Sequence, residues 1–285
     1  MPQPGYQPAP TELRDGRLLL GQDIPGKGPA ACFSVDQGKS WSGLTFLPVT
    51  AEDQICEVSF VELDDGALVG FGRNLTREQR QVPSTALKVI SRDGGRTWSG
   101  PFQTWLMGCE GRPKAGLLRS GEVCITYRCD MPNELLAMHL MTQPAAASEA
   151  MGQLVERKPL PEDVPGEEAR SRGEARPWYM TSYYPGRTII LDVDRSVHRD
   201  NGYSGWVQLD NGDIFVVDYI HDDAPLAQIR GYRVSRADII MFPEGDLPWL
   251  HPSWQPFRAI TRSMAQRQQA SNVARRAVAD GDKAC

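Results

Sequence analysis

Four segments of the chain share one spacing of apolar and polar positions. Each has a Leu six residues after its first position and a Gly three residues after that Leu, with runs rich in apolar residues on both sides. An apolar run, a short turn containing Gly and a second apolar run predict a β-hairpin. The four segments are QPAPTELRDG (7–16), EVSFVELDDG (57–66), RPKAGLLRSG (112–121) and YSGWVQLDNG (203–212). The chain therefore contains four copies of one unit.

The open end of every predicted hairpin is polar. Folding a hairpin about its turn places the residue at its first position opposite the residue 16 positions later. Strand ends are often polar because they meet solvent, but Glu, Tyr and three Arg at matching positions favour a shared polar site. The predicted pairs are Gln7 with Asp23, Glu57 with Arg73, Arg112 with Arg128, and Tyr203 with Tyr219.

A second motif, S-x-D-x-G-x-(S/T)-W, occurs at residues 34–41 and 91–98. In such a turn the Ser, Thr and Asp side chains bond to nearby backbone and the Trp packs at the sheet edge, so we interpret Asp36, Asp93, Trp41 and Trp98 as structural. The two copies are 57 residues apart, and the first two hairpins start 50 residues apart. A repeat of that length with several short strands is typical of a β-propeller blade.

The repeats predict a propeller domain over residues 1–242. Residues 145–176 are rich in Glu, Arg, Pro and Ala and have little apolar periodicity, which predicts a mobile insertion. Residues 243–285 combine an irregular segment with a basic stretch rich in Gln and Ala, and we expect an irregular or helical C-terminal tail there.

Composition narrows the function. A net charge of −5 argues against nucleic acid as a partner but permits a small anionic ligand held by clustered arginines. The six cysteines form no C-x-x-C pair and no His lies at metal-ligand spacing, so neither a metal nor a cofactor is expected. No apolar run approaches the length of a membrane span. Without a recognisable signal region, we expect a cytoplasmic location from the sequence as given, or an exported one if a signal lies upstream.

The motifs resemble the sialidase (neuraminidase) superfamily, whose β-propellers carry Asp-box or BNR repeats. One blade of that family begins with a Glu, continues into a V-E-L-x-D-G turn and ends the next strand with an Arg, as Glu57, residues 61–66 and Arg73 do here. The last blade begins with Tyr-Ser and an L-x-(D/N)-G turn, as Tyr203 and residues 209–212 do. The resemblance covers roughly residues 5–240 and implies an all-β, sialidase-type propeller, six-bladed in the family, with about four blades recognisable here.

The resemblance further implies a retaining exo-glycoside hydrolase that releases a terminal sialic acid or a related acidic sugar. Tyr203 would be the nucleophile, because a neutral phenol avoids repulsion by the carboxylate on the anomeric carbon. Glu57 would be its base, since a Tyr hydroxyl, with an ordinary pKa of about 10, is a weak nucleophile by itself. Arg73 together with Arg112 or Arg128 would bind the sugar carboxylate through planar, two-donor forks.

Two open-end residues, Gln7 and Tyr219, are further candidates for substrate binding. The sequence also departs from the family, because neither the R-I-P motif nor the acidic residue that follows it precedes Glu57. We assign the missing acid to Asp23, with Asp200 and His221 as the alternatives.

The number of blades is the other departure. If Glu57 belongs to the fourth family blade and Tyr203 to the sixth, the first two blades are missing at the N-terminus. We then expect an open, incomplete propeller that self-associates through uncovered blade faces and hydrolyses weakly. Two other functions stay open: a polysaccharide lyase on the same fold, with Tyr203 as base and acid, and a glycan-binding or structural propeller without turnover.

Overall fold

The described part of the chain consists of antiparallel strands in four sheets. In this computed structural model it comprises residues 9–75, 85–109, 111–129, 134–149, 186–197, 200–222 and 224–235. Most of the predicted insertion and the whole predicted tail lie outside these residues, as does Gln7. Within them, the content is nearly all β, as the sequence predicts.

Each sheet is a meander whose strands follow chain order, and we call the sheets blades 1 to 4. Blade 1 contains β1 (Thr11–Glu12), β2 (Leu18–Ile24), β3 (Gly28–Ser34) and β4 (Thr45–Phe46). Blade 2 contains β5 (Ile55–Glu62), β6 (Leu68–Asn74), β7 (Thr85–Ser91) and β8 (Ser99–Met107). Blade 3 contains β9 (Lys114–Leu117), β10 (Val123–Cys129), β11 (Leu135–Met141) and β12 (Gly186–Val193). Blade 4 contains β13 (Gly205–Gln208), β14 (Ile214–Ile220) and β15 (Gln228–Val234). This order confirms a propeller with four blades.

The four predicted hairpin turns share one hydrogen-bond pattern. In each, the Gly N–H donates to the carbonyl of the Leu three residues earlier, and the Leu N–H donates to the carbonyl four residues later. All four glycines have φ between 82° and 91°, a left-handed conformation that strains residues with a Cβ. The repeated L-x-x-G spacing is therefore a requirement of the turn geometry. The glycines are Gly16, Gly66, Gly121 and Gly212.

The two S-x-D-x-G-x-(S/T)-W segments form matching loops between the third and fourth strands of blades 1 and 2. In the second loop, Asp93 accepts hydrogen bonds from the N–H groups of Arg96 and Thr97 and from the Thr97 hydroxyl. These bonds, led by the one from the Thr97 hydroxyl, lower the pKa of Asp93 to about 2. Asp36 is held in the same way by Ser40 in the first loop. Both Asp side chains are thus occupied in local structure.

The same turns join neighbouring blades. Arg14, in the first turn, donates its N–H to Glu62 (2.7 Å) and its guanidinium to the Leu63 carbonyl and to Asp64. Arg119, in the third turn, repeats this arrangement toward blade 4, where it contacts Gln208, Leu209 and Asp210. In both cases, the arginine that follows the turn Leu of one blade contacts the equivalent turn residues of the next blade.

Between blades 2 and 3 a short helix, α1 (Gln143–Ala147), makes the corresponding link. Gln143 Nε2 donates to Asp64 Oδ2 (2.6 Å) and to the Gly121 carbonyl (2.8 Å), and its Oε1 accepts from the Asp64 N–H (2.7 Å). At the other end of α1, the buried Lys88 ammonium donates to the carbonyls of Ala145 and Ala146. The helix is therefore fixed at both ends.

The apolar core lies between adjacent blades. Phe60, Val58 and Leu87 of blade 2 pack with Leu19 and Ala31 of blade 1. A larger cluster joins the opposite face of blade 2 to blade 3 and includes Phe71, Ile90, Leu106, Ile125 and Tyr127.

Blade 4 differs, because one of its faces is apolar and exposed. Val207 and Phe215 are direct cross-strand partners, and they share this face with Val217 and Ile229. Self-association through such a face stays a prediction.

Among the described residues, no helix is long and apolar enough to span a membrane.

Replacing Gln143 by Ala should lower the free energy of unfolding by about 1–2 kcal/mol, because the Asp64 amide, the Asp64 carboxylate and the Gly121 carbonyl each lose their partner in the blade 2–3 link. The measurement is urea unfolding at pH 7, with the exposed Lys27→Ala as control. Gln143→Glu should destabilise more at pH 7 than at pH 4, since it places a second carboxylate against Asp64. Equal stability of all variants would show that the link contributes nothing.

Candidate active site

Glu57 lies in a β-bulge, which corrects one predicted cross-strand pair. Cys56, not Glu57, is opposite Arg73, and the next pair is Ser59 with Phe71, so β5 carries one extra residue here. Glu57 has φ of 52°, unusual for a residue with a side chain. Its N–H leaves the ladder and donates to Asp23 Oδ2 of blade 1 (2.9 Å). The alternation of polar and apolar residues contains no sign of this extra residue. In blades 1, 3 and 4 the ladder registers agree with the predicted pairing.

The Glu57 carboxylate is buried and contacts two arginines from different blades. Arg73 Nε lies 3.4 Å from Oε2, and Arg112 Nε of the segment before β9 lies 3.7 Å from Oε1. Arg73 Nε also donates to Cys56 Sγ (3.3 Å). Glu57 therefore links blades 2 and 3 through charge and blade 1 through its backbone.

Arg112 continues the chain of contacts to blade 4. Its guanidinium carbon lies 4.5 Å from the centre of the Tyr203 ring, a cation–π distance. Arg112 thus lies between Glu57 and Tyr203, and no hydrogen bond joins those two side chains in the described structure. The Tyr203 side chain is open to solvent, with 43% of the residue exposed.

Arg128 is a second cation beside the Tyr203 ring. Its guanidinium carbon is 5.9 Å from the ring centre, and Nη1 donates to Asp200 Oδ1 (3.3 Å) and to the Asn201 carbonyl (3.2 Å). The Tyr219 hydroxyl also donates to Asp200 Oδ1 (2.6 Å), while its ring meets Tyr203 edge-on at 5.8 Å. Blades 3 and 4 thus bring two further predicted residues to the same place.

Burial raises the pKa of both central carboxyls. For Glu57, desolvation exceeds the opposing effect of Arg73 and Arg112. For Asp23, desolvation exceeds the opposing effects of the Glu57 N–H and of the same two arginines. A carboxyl group with a raised pKa can hold and release a proton nearer neutral pH, as a general acid or base must.

Of the predicted site residues, Asp23, Glu57, Arg73, Arg112, Arg128, Tyr203 and Tyr219 lie in this one chain of contacts, together with Asp200. Gln7 lies outside the described residues. The His221 N–H donates to Asp194 (3.3 Å), and its side chain has no hydrogen bond or ion pair in the described part of the chain. Within the described ranges, no three His, Cys, Asp or Glu side chains are grouped as metal ligands.

Sequence reasoning missed the residues that hold the segment before Tyr203. The buried Asp194 accepts the N–H of Asp200 (3.0 Å), and the buried Asp218 accepts the N–H of Gly202 with both carboxylate oxygens (3.1 and 3.0 Å). Asp218 could have been noticed in the sequence, because the other inward-facing residues of β14 are aliphatic. No pattern pointed to Asp194.

Together, these side chains offer three guanidinium groups for an anion, two carboxyl groups with raised pKa values and an accessible phenol. Such a set suits a ligand that carries a carboxylate next to a bond to be broken.

Comparison with known proteins gives structural matches. A protein of unknown function from Dyadobacter fermentans is 18% identical, with 79% of this chain and 52% of that protein covered, at a TM-score of 0.57. An α-L-arabinofuranosidase from Fusarium graminearum is 14% identical, with 80% and 62% covered, at 0.52. The chain has a β-propeller fold.

Sialidases are also among the similar structures. The intramolecular trans-sialidase from Ruminococcus gnavus is 14% identical, with 80% of this chain and 42% of that protein covered, at 0.47. The chain spans about half the length of the Dyadobacter fermentans protein and under two thirds of each of the other two. At these identities the likeness to solved structures concerns the fold alone. No protein-family model matches the chain, and no curated protein matches it.

Gly202→Ala should destabilise the protein more than Gly212→Ala, although both glycines follow an Asn and have similar positive φ. An added Cβ at Gly202 would lie 2.3 Å from Arg128 Cβ, whereas one at Gly212 meets nothing within 4 Å. In urea unfolding, we expect the free energy of unfolding to fall by about 3 kcal/mol or more for Gly202→Ala and by about 1–2 kcal/mol for Gly212→Ala. Equal losses would mean that the segment before Tyr203 does not press on Arg128.

Proposed function

We propose that the protein is a retaining exo-glycoside hydrolase acting on a terminal acidic sugar, with Tyr203 as nucleophile. The observation that carries the proposal is that both Arg112 and Arg128 lie within cation–π distance of the Tyr203 ring and that Arg112 also contacts Glu57. A sugar carboxylate bound by these arginines would hold the adjacent anomeric carbon near the phenol oxygen.

In the first step, the Tyr203 oxygen forms a bond to the anomeric carbon while the bond to the leaving alcohol breaks. Asp23 donates the proton that the leaving oxygen needs, and Glu57 takes the phenol proton. Since Arg112 lies between Glu57 and Tyr203, that proton moves through a bridging water. Water then attacks the anomeric carbon, gives its proton to Asp23 and releases Tyr203, which recovers its own proton from Glu57.

A second candidate, binding of an acidic sugar without turnover, is favoured by one observation. Tyr203 and Glu57 share no hydrogen bond in the described structure, and Glu57 is paired with arginines. The three arginines suit a carboxylate ligand in either case.

Tyr203→Phe should lower turnover of a fluorogenic N-acetylneuraminic acid glycoside by at least about 100-fold, because the nucleophile is lost. Binding of free N-acetylneuraminic acid should change little. Tyr232→Phe, in the same blade but hydrogen-bonded to Asp192, is the matched control. Wild-type protein that binds the sugar without hydrolysing the glycoside would support the second candidate, and full activity of Tyr203→Phe would exclude this nucleophile.

Arg73→Lys should weaken binding of N-acetylneuraminic acid about tenfold, because a lysine keeps the charge and loses the two-donor fork. Titration calorimetry measures the affinity, and the exposed Arg92→Lys serves as control. The methyl ester of the sugar, which lacks the charge, should bind wild type and Arg73→Lys equally weakly. Unchanged affinity of Arg73→Lys for the free acid would remove Arg73 from the binding site.

A further inference from the structure

Asp218 is the one carboxyl group on an otherwise aliphatic face of β14. Ile214, Val216 and Ile220 are its inward neighbours, and Asp218 itself is 2% exposed. Burying a carboxyl group costs free energy unless it is well partnered. Its hydrogen bonds within the described structure come from main-chain amides, chiefly that of Gly202. An aliphatic residue would serve the core better, so Asp218 requires another explanation.

Cationic side chains near Asp218 are occupied elsewhere. Arg230 is its direct cross-strand partner, but its two terminal nitrogens donate to Asp192 and Asp222. Arg128, the other nearby cation, donates to Asp200 and to the Asn201 carbonyl. Neither arginine forms an ion pair with Asp218 in the described structure.

Gly202 connects Asp218 to the candidate site. It precedes Tyr203 directly and has φ of 98°, and its Cα packs so closely on Arg128 that an added Cβ would clash. Its neighbour Asn201 is fully buried and accepts from Arg128 through its carbonyl. A shift of the Gly202 amide would therefore move Tyr203 relative to Arg128.

We propose that Asp218 is a positioning residue, whose buried carboxyl group fixes the Gly202 amide and thereby the place of Tyr203 beside Arg112 and Arg128. Its effect on catalysis rests on the proposed function, whereas its hold on Gly202 does not. A carboxylate accepts an N–H more strongly than a neutral carboxyl group, so the hold tightens when Asp218 loses its proton.

This proton loss falls near neutral pH. The pKa of Asp218 is raised to about 7, chiefly by burial and also by Asp192, against the opposing effects of the Gly202 and Tyr219 amides and of Arg128. Tyr232 on β15 also faces this group. The folded pKa exceeds the unfolded value of about 4, so neutral Asp218 contributes its full stability below about pH 4. This contribution is lost as the pH rises from there through about 7. Asp218→Asn, which does not titrate, should thus gain stability relative to wild type over this range.

The direct test is the NMR signal of the Gly202 amide. Cell-free synthesis with carbonyl-¹³C Asn and ¹⁵N Gly selects amides of Asn-Gly pairs, and the sequence has two, at Gly202 and Gly212. Gly212 donates to the Leu209 carbonyl and serves as an internal control. The Gly202 amide should shift downfield with a midpoint near pH 7 while Gly212 stays constant between about pH 5.5 and about pH 8.5.

Two variants complete the test. Asp218→Asn retains an acceptor oxygen, so its Gly202 signal should persist without titrating. Asp210 is exposed, and in the control variant Asp210→Asn the Gly202 signal should titrate as in wild type. A Gly202 amide that does not titrate in wild type, or that titrates unchanged in Asp218→Asn, would overturn the proposal. The wild-type titration alone decides the matter if Asp218→Asn does not fold.

Glycoside turnover then separates the two proposals. Asp218→Ala should lower kcat by about 10- to 100-fold with little change in KM, because the nucleophile is misplaced and the arginines remain. Asp218→Asn should retain kcat and lose the wild-type change in kcat near pH 7. If wild type hydrolyses nothing, the proposed function fails, and the NMR titration still tests the hold on Gly202. A normal Gly202 titration combined with an unaltered pH profile in Asp218→Asn would overturn the catalytic part alone.

Discussion

The buried charge of Glu57 is the constraint on which the rest of the site depends. A carboxylate removed from water loses much hydration energy, and its ionised form persists only with charge partners nearby. Arg73 supplies one from the same blade, whereas Arg112 must come from the next. Arg112 also stacks on Tyr203, so the requirement of one carboxylate extends across three blades. The bulge at Glu57 also turns its amide toward Asp23, which adds a contact from a fourth blade, blade 1.

The hairpin formed by the first two strands of each blade has two ends with different roles. At the turn end, Leu and Gly shape the loop, and Arg14, Arg119 and Gln143 tie it to the next blade. At the open end, the strands carry the charged and aromatic residues of the candidate site. The charged groups at the open end are thus held in place by a framework secured at the turn end, which allows strain such as the left-handed Glu57 to persist.

Much of this architecture could be predicted from the sequence, because the turns impose local requirements. A Gly in a left-handed turn and an Asp that accepts several nearby amides leave a fixed spacing, and that spacing revealed the blades. The polar open ends likewise revealed which residues to expect together. The bulge at Glu57 and the position of Arg112 between Glu57 and Tyr203 depend on contacts between blades, which have no constant separation along the chain. Asp194 was missed because its partners are main-chain amides, some within its own loop and others 27 and 28 residues further along the chain.

The links between turns also set an order of assembly during synthesis. Arg14 reaches partners 48 to 50 residues ahead, and Arg119 reaches partners about 90 residues ahead, always in the blade that leaves the ribosome next. Each blade can therefore dock on its predecessor as soon as it emerges, without waiting for the chain to be released. The candidate site behaves differently, because Tyr203 and Tyr219 belong to the last described blade. A nascent chain would hold its arginines and Glu57 in place first and acquire the phenol at the end.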